Sequence, residues 1–302
     1  MPQRFGRSRI GRLSPADTLL HMFAGAFVLL FCAITLYPFW YVIAASVSEP
    51  GAIVRNEITL GPVRPLSVES YRLILNDSRI WLGYANTIFY AVFGTALNLV
   101  VTVLAAYPMS RPEFRGRRFM NVFVSVTMFI SATGMMIPLY LIVRGLNLLD
   151  TRLSLLVVFA AFPFFVILMR SFFETIPNQL IEAARIDGAG EWTVLLRVVL
   201  PVSGSALATI GLYYLINRWN GYFWAMVFLR DPDKVPLQVV LRQLIVLTRM
   251  GEEMDVNVGR SATNAQAITY ATIVVATLPI AVIYPFIQKY FVKGITLGSV
   301  KG

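Results

Sequence analysis

The chain has 302 residues and a formal net charge of +10, yet only 14% of its residues are charged and 57% are hydrophobic, with a mean hydropathy of +0.68. A soluble domain carries roughly 25% charged residues, so this composition excludes an ordinary water-soluble fold and places the chain in a bilayer. One cysteine and one histidine exclude a disulfide framework and a Cys/His metal site within a single chain.

Residues 1–17 form a basic tail containing Arg4, Arg7, Arg9 and Arg12, predicted to stay in the cytoplasm. The uncharged run Thr18 to Ser48, 31 residues long, predicts a first membrane helix over about 18–47. It exceeds the apolar core of a cleaved leader, about 7 to 15 residues, and is therefore retained. His21 and Cys32 lie within it and read as packing residues. The segment from Glu49 to Arg79 is predicted to be external, with turns at Pro50-Gly51, Gly61-Pro62 and Pro65. A second uncharged run predicts a helix over 81–109, and Arg111, Arg115, Arg117 and Arg118 follow it, marking an inner connection. Helices over 118–143 and 153–172 are separated by a short outer segment, Arg144 to Arg152. The polar insert Arg170 to Arg197 returns to the inner side, a helix over 200–229 is interrupted by Arg218 alone, and the outer segment from Arg230 to Arg260 leads to a last helix over 264–290. The C-terminus then returns inside with Lys289, Lys293 and Lys301.

The expected fold is an all-α integral membrane protein in which residues 18–302 form one domain of six transmembrane helices. Lipid leaves backbone polar groups no partner outside a helix or a closed barrel, and the alternating strands of a barrel are absent. Most of the net charge falls on the proposed inner segments, so the basicity reads as topology and not as a nucleic-acid footprint. Prolines 38, 108, 138, 163, 279 and 285 are predicted to kink or end helices.

The insert over about 177–199 carries the most specific pattern, Glu182-Ala-Ala-Arg-Ile-Asp-Gly-Ala189, followed by Leu200-Pro201. Pro177 opens a short helix, Asp187-Gly188 supplies a turn, and Trp192, Leu195, Leu196 and Val199 recur at helical spacing. Ala183 and Ala184 make a narrow face that fits a groove on another protein, with Glu182 and Arg185 at its rim; the plainer reading is a solvated amphipathic loop helix.

Taken with its spacing, the insert resembles the signature of inner-membrane permease subunits of ATP-binding cassette importers: Glu182, Ala183, Ala184, Gly188, Val198, Leu200 and Pro201 stand in the expected register. Ala105 to Tyr107 with Ser110-Arg111, Ile137 to Tyr140, Gly145 to Thr151, Phe172 to Pro177, Trp219-Asn220 and the ending Gly294 to Gly302 resemble the carbohydrate-uptake, MalG-like branch. Two positions depart from the pattern: Leu195 stands where Phe is usual, and Ser205 where a second Pro is frequent. The resemblance implies a type I importer permease in the bacterial inner membrane with both termini cytoplasmic. It also implies a coupling helix, including Arg185, Asp187, Gly188 and Ala189, that seats in an ATPase subunit. The implied partners are an ATPase dimer, a second homologous permease, an extracytoplasmic sugar-binding protein and membrane lipid. ATP and Mg would sit on the ATPase, and no cofactor on this chain, which lacks a Gly-x-x-x-x-Gly-Lys-Ser/Thr phosphate loop.

Arg218 is the one charge well inside an apolar run, within Asn217-Arg-Trp-Asn220 and ahead of Phe223. A charge at membrane depth usually faces a cavity or a partner. Asn217, Arg218, Trp219, Asn220 and Phe223 are therefore predicted to line a saccharide path, with the guanidinium suited to the carboxylate of a uronate-type oligosaccharide; the alternative is an interfacial aromatic belt with a snorkelling arginine. An importer of a non-sugar solute keeps the same architecture. An ion-coupled secondary transporter would want an intramembrane carboxylate, and a membrane enzyme a cluster of acids, metal ligands or an activated nucleophile, neither of which the runs contain.

Overall fold

The structure is a computed structural model that describes residues 15–130, 134–254 and 266–282; among these every regular element is helical. The basic N-terminal tail through residue 14, Arg260, the end of the last predicted helix and the C-terminal lysines lie outside the described residues. Among the described residues, two helices are long and apolar enough to cross a membrane by themselves, within α1 (Pro15–Ser46) and α4 (Ser78–Ser110). At 1.5 Å per residue each reaches about 50 Å, more than the hydrocarbon core requires.

The outer segment after α1 carries α2 (Pro50–Val54) and α3 (Glu69–Asn76). Asp77 starts α4 by accepting the Arg79 backbone N–H at 2.9 Å, which satisfies one of the amides that a helix start leaves bare. The remaining predicted spans are broken. The span expected over 118–143 is instead α5 (Arg117–Thr127) and α6 (Met136–Gly145); Pro138 sits in the first turn of α6, where its missing N–H costs nothing. The span expected over 153–172 is α7 (Arg152–Val157) and α8 (Pro163–Glu174). Pro163 holds the preceding Phe162 extended at ψ 125°, as a residue before proline must be.

The insert folds as α9 (Asn178–Ile186) and α10 (Glu191–Val202). Within α10, Leu195–Val199 is wound as a π turn, consistent with Pro201 removing a donor from the ladder just beyond. The chain then bends by 82° into α11 (Gly204–Asn220), so the fifth helix starts at Gly204 rather than at residue 200. It stops at Asn220, and Gly221 and Tyr222 separate it from α12 (Phe223–Phe228). The segment from Arg230 that was expected to be external contains a helix, α13 (Leu237–Met254). Its residues Leu237, Val239, Val240 and Leu241 are buried, and this apolar face decides its structure over the turn residues before it. The last described helix is α14 (Gln266–Val282).

α4 is the axis of the molecule. It packs against α11, α8 and α13, and its C-terminal half belongs to a core with Phe165, Met169, Phe173, Val194, Ile210 and Tyr214. Its N-terminal half joins a second core with Ala225, Leu237, Val240 and Ala271. α1 stands apart: Leu19 and Phe23 are about three-quarters exposed, and only its last turn, around Ala44 and Ala45, is buried.

The N-terminal half of α4 also fixes the chain entering α13. Buried Asn86 donates through its amide to the Asp233 and Val235 carbonyls at 2.8 and 3.1 Å and accepts from Arg152 at 3.0 Å. Thr87 accepts the Leu237 N–H at 2.8 Å, and the Tyr90 hydroxyl donates to the Lys234 carbonyl at 2.8 Å. Asn86→Ala strips the Asp233 and Val235 carbonyls and the Arg152 guanidinium of this partner together, so a loss of about 1–3 kcal/mol is expected. Thermal unfolding of the detergent-solubilised protein should show a lowered midpoint, and an unchanged midpoint would contradict the anchoring role of Asn86.

Candidate functional site

The break between α7 and α8 determines the centre of the molecule. Pro163 cannot bond to the carbonyl four residues earlier, and its ring excludes that carbonyl from the helical position. That carbonyl belongs to Phe159, whose backbone turns to a positive φ of 61°, a conformation that costs a bulky residue about 1–2 kcal/mol. Ring packing helps hold it: Phe159 stacks on Phe162 at 5.8 Å and lies 5.2 Å from Trp224.

Three side chains, Asn98 of α4 with Tyr214 and Arg218 of α11, supply hydrogen bonds that the break leaves open, and Thr102 of α4 supports one of them. Asn98 donates to the Phe159 carbonyl at 3.2 Å, and the Tyr214 hydroxyl accepts the Phe162 N–H at 3.2 Å while bonding to Thr102 at 2.7 Å. The Arg218 guanidinium donates to the Leu155 carbonyl, to Leu156 at 3.1 Å and to the Asn98 side-chain oxygen at 2.7 Å. Its fork reaches carbonyls that α7 exposes at its C-terminal end, a use for which the planar, multiply donating guanidinium is suited. Gly94 makes this approach possible, because a Cβ there would stand 2.8 Å from the Arg218 Nε.

Around this clamp lies a cavity of about 380 Å³. Asn217, Arg218, Asn220 and Phe223 line it, together with Phe159 and Trp224. Asn217 bonds back to the Tyr213 carbonyl at 2.9 Å, and Asn220 is exposed. Trp219 is a correction: it is buried, turns away from the cavity and packs with its ring 6.5 Å from Tyr84. One helical step of about 100° from Arg218 carries it to the opposite side of α11. Arg218 faces the cavity, but its hydrogen bonds go to backbone carbonyls and an amide, and among the described residues no carboxylate lies within ion-pair distance of it. Sequence reasoning missed Gly94, Asn98, Thr102, Phe159 and Tyr214. The spacing of Asn98 and Thr102, one helical turn apart in an apolar run, was the available signal.

The insert forms a second site on the far end of α4. Ile181 is buried and Ala184 is half-buried against the inner core, whereas Glu182, Ala183, Ile186 and Asp187 are exposed. Arg185 does not stand free at a rim, as expected, but bridges Glu113 at 3.2 Å and Glu191 at 2.8 Å. These hydrogen bonds push its pKa above the ordinary value, Glu113 foremost. Glu191 in turn accepts from the Tyr107 hydroxyl at 2.7 Å, so α9 is tied to the base of α4. Gly188 has φ +82°. It ends α9 with its N–H on the Arg185 carbonyl at 3.0 Å and the Ala189 N–H on the Ala184 carbonyl at 2.9 Å, the paired closure that favours glycine.

Comparison with known proteins gives a transport family. Residues 98–297 match the family of binding-protein-dependent transport system inner membrane components. The chain is 39% identical to the polygalacturonan/rhamnogalacturonan transport system permease protein YtcP of Bacillus subtilis (strain 168), over 95% of this chain and 99% of that one. It is 37% identical to Protein LplC of the same organism, over 89% and 90% of the two chains. Among solved structures it resembles a chain of a bacterial ABC transporter involved in the import of the acidic polysaccharide alginate, with 39% identity, a TM-score of 0.80, and coverage of 92% of this chain and 98% of that one.

The clamp is open to direct test at Gly94. Gly94→Val should displace the guanidinium from its carbonyls, and Arg218→Lys should do the same by removing the fork. In a Cys32→Ser background, a reporter at Ala160→Cys within the break should then react faster with a water-soluble maleimide. The expected gain is on the order of tenfold, equivalent to about 1.4 kcal/mol of lost closure. A control at Ser171→Cys in α8 should not change; equal rates at Ala160→Cys in all backgrounds would show that the break does not depend on Arg218.

Proposed function

The chain belongs to the binding-protein-dependent transport system inner membrane component family, and on that premise we propose that it is the permease subunit of an ATP-driven importer of acidic oligosaccharides. Six crossings are assigned to α1, α4, the α5–α6 pair, the α7–α8 pair, the α11–α12 pair and α14, with both termini cytoplasmic. A second homologous permease would complete the path, an extracytoplasmic binding protein would deliver the sugar, and an ATPase dimer would bind ATP and Mg. α9 is the coupling helix in this reading. Its exposed Glu182, Ala183 and Ile186 would seat in the ATPase, and Arg185, bonded to Glu113 and Glu191, would carry the movement to α4.

The observation that carries the substrate class is the cavity beside Arg218. It offers aromatic rings for sugar faces, amides for hydroxyls and a positive charge with no carboxylate partner among the described residues. With its donors on carbonyls, Arg218 acts on an anionic sugar through its field more than through a bidentate contact. The names of similar proteins, a polygalacturonan/rhamnogalacturonan permease and an alginate importer, support the same class, since both kinds of polymer contain uronate units.

In proteoliposomes containing the ATPase, both permeases and the binding protein, acidic oligosaccharides should stimulate ATP hydrolysis and neutral ones should not. Gly188→Asp should abolish this stimulation. A side chain at φ +82° carries roughly 1–2 kcal/mol of strain, which would disturb the end of α9 while leaving the cavity intact. Stimulation by neutral sugars alone, or full coupling in Gly188→Asp, would overturn the corresponding half of this reading.

A further inference from the structure

A second hollow, of about 430 Å³, lies beside the first and shares Phe228 with it. Its walls include Arg144, from the last turn of α6, and Arg230, just after α12. Both arginines are exposed, and among the described residues neither guanidinium has an ion-pair partner. The carboxylate in the same hollow, Asp150, is already occupied. It accepts the backbone N–H groups of Arg230 and Asp231, each at 3.0 Å, and those bonds hold its pKa below the ordinary value, Asp231 foremost. The Asp150 N–H is bonded to the Phe228 carbonyl at 2.8 Å, and the Lys234 ammonium to the Asp150 carbonyl at 2.9 Å.

These bonds knot the turn after α6 to the chain after α12. They hold two unpaired guanidinium groups, distant in sequence, on one concave surface. Arginine presents a planar fork matched to carboxylates, and exposed arginines with no acid within ion-pair distance keep that capacity free. The Tyr140 hydroxyl, also on the hollow, can exchange hydrogen bonds with a sugar hydroxyl. Phe228 is buried and stacks on Trp224 at 5.4 Å, so the wall between hollow and cavity is an aromatic layer of the kind along which a sugar ring can slide.

We propose that this hollow is an outer receiving site for the carboxylate of a uronate unit, in which Arg144 and Arg230 capture the leading end of an acidic oligosaccharide before it passes Phe228 into the cavity. The proposal rests on the topology and substrate class given above, which place the hollow on the external side.

The test uses the reconstituted complex with its binding protein and an oligogalacturonate as the probe. Uptake rate and the affinity of the complex for the sugar-loaded binding protein are measured for Arg144→Gln, Arg230→Gln, the corresponding Lys variants and the native chain. Each Gln variant should slow uptake about fivefold, the scale of one solvent-exposed charge-assisted contact. The Lys variants should retain most of the native rate, and binding-protein affinity should be unchanged throughout. Three results would overturn the site: native uptake in the Gln variants, Lys variants as slow as Gln, or affinity for the binding protein falling in step with uptake. The last would reassign the arginines to an acidic surface of that protein. A native complex idle toward oligogalacturonate would refute the substrate class itself, whereas an active native complex with unaffected variants would refute only the hollow.

Discussion

A proline in a membrane-length run leaves backbone carbonyls without a helical partner, and in lipid those carbonyls cannot turn to water. The rest of this structure is arranged around Pro163 and the break that it imposes between α7 and α8. Leu155, Leu156 and Phe159 present carbonyls into the interior, and Arg218 and Asn98 reach them with donors. A buried arginine without a carboxylate would ordinarily be expensive. Here each half of the problem answers the other: the broken helix supplies oxygens that the guanidinium needs, and the guanidinium supplies hydrogens that the broken helix lacks. The cavity is the space that this exchange opens beside α11 and α12.

α4 connects the break to both faces of the molecule. A single helix of 33 residues, it carries three groups of polar contacts along its length. Tyr107 near its inner end meets Glu191 and, through it, Arg185 of α9. Asn98 and Thr102 in its middle meet Arg218 and Tyr214. Asn86, Thr87 and Tyr90 toward its outer end hold the chain that leads into α13. Its contacts run from the insert past the break to the chain before α13, so under the proposed function a displacement at the insert would reach both through this one helix. Small residues make the contacts close: Gly94 lies under Arg218, and a side chain there would occupy the position of the guanidinium.

Much of the fold was legible in the sequence because lipid imposes simple requirements on composition and length. α1 and α4 follow from uncharged runs of 31 residues, and α9 with its terminal Gly188 follows from helix formers ended by a residue that tolerates positive φ. The broken spans were less legible. Hydropathy averages across a proline, so the windows over 118–143 and 153–172 read as continuous, although Pro138 and Pro163 mark where α6 and α8 restart. α13 was hidden for the opposite reason: Arg230 to Arg260 read only as a segment between two apolar runs, whereas the buried face of Leu237, Val240 and Leu241 decided for a helix.

The sequence by itself determined that the chain lives in a membrane, which stretches are apolar enough to enter it, and that the Glu182 to Ala189 insert is a short helix with a sharp end. These are properties of composition and of neighbours along the chain. Only the tertiary structure decided what Arg218 touches, that Trp219 faces Tyr84 instead of the cavity, and that Arg185 is bonded to Glu113 and Glu191. It alone brought Arg144 and Arg230 to one hollow. Each of these depends on the direction of a side chain and on partners tens of residues away, and a one-dimensional pattern does not contain that information until the helices have packed.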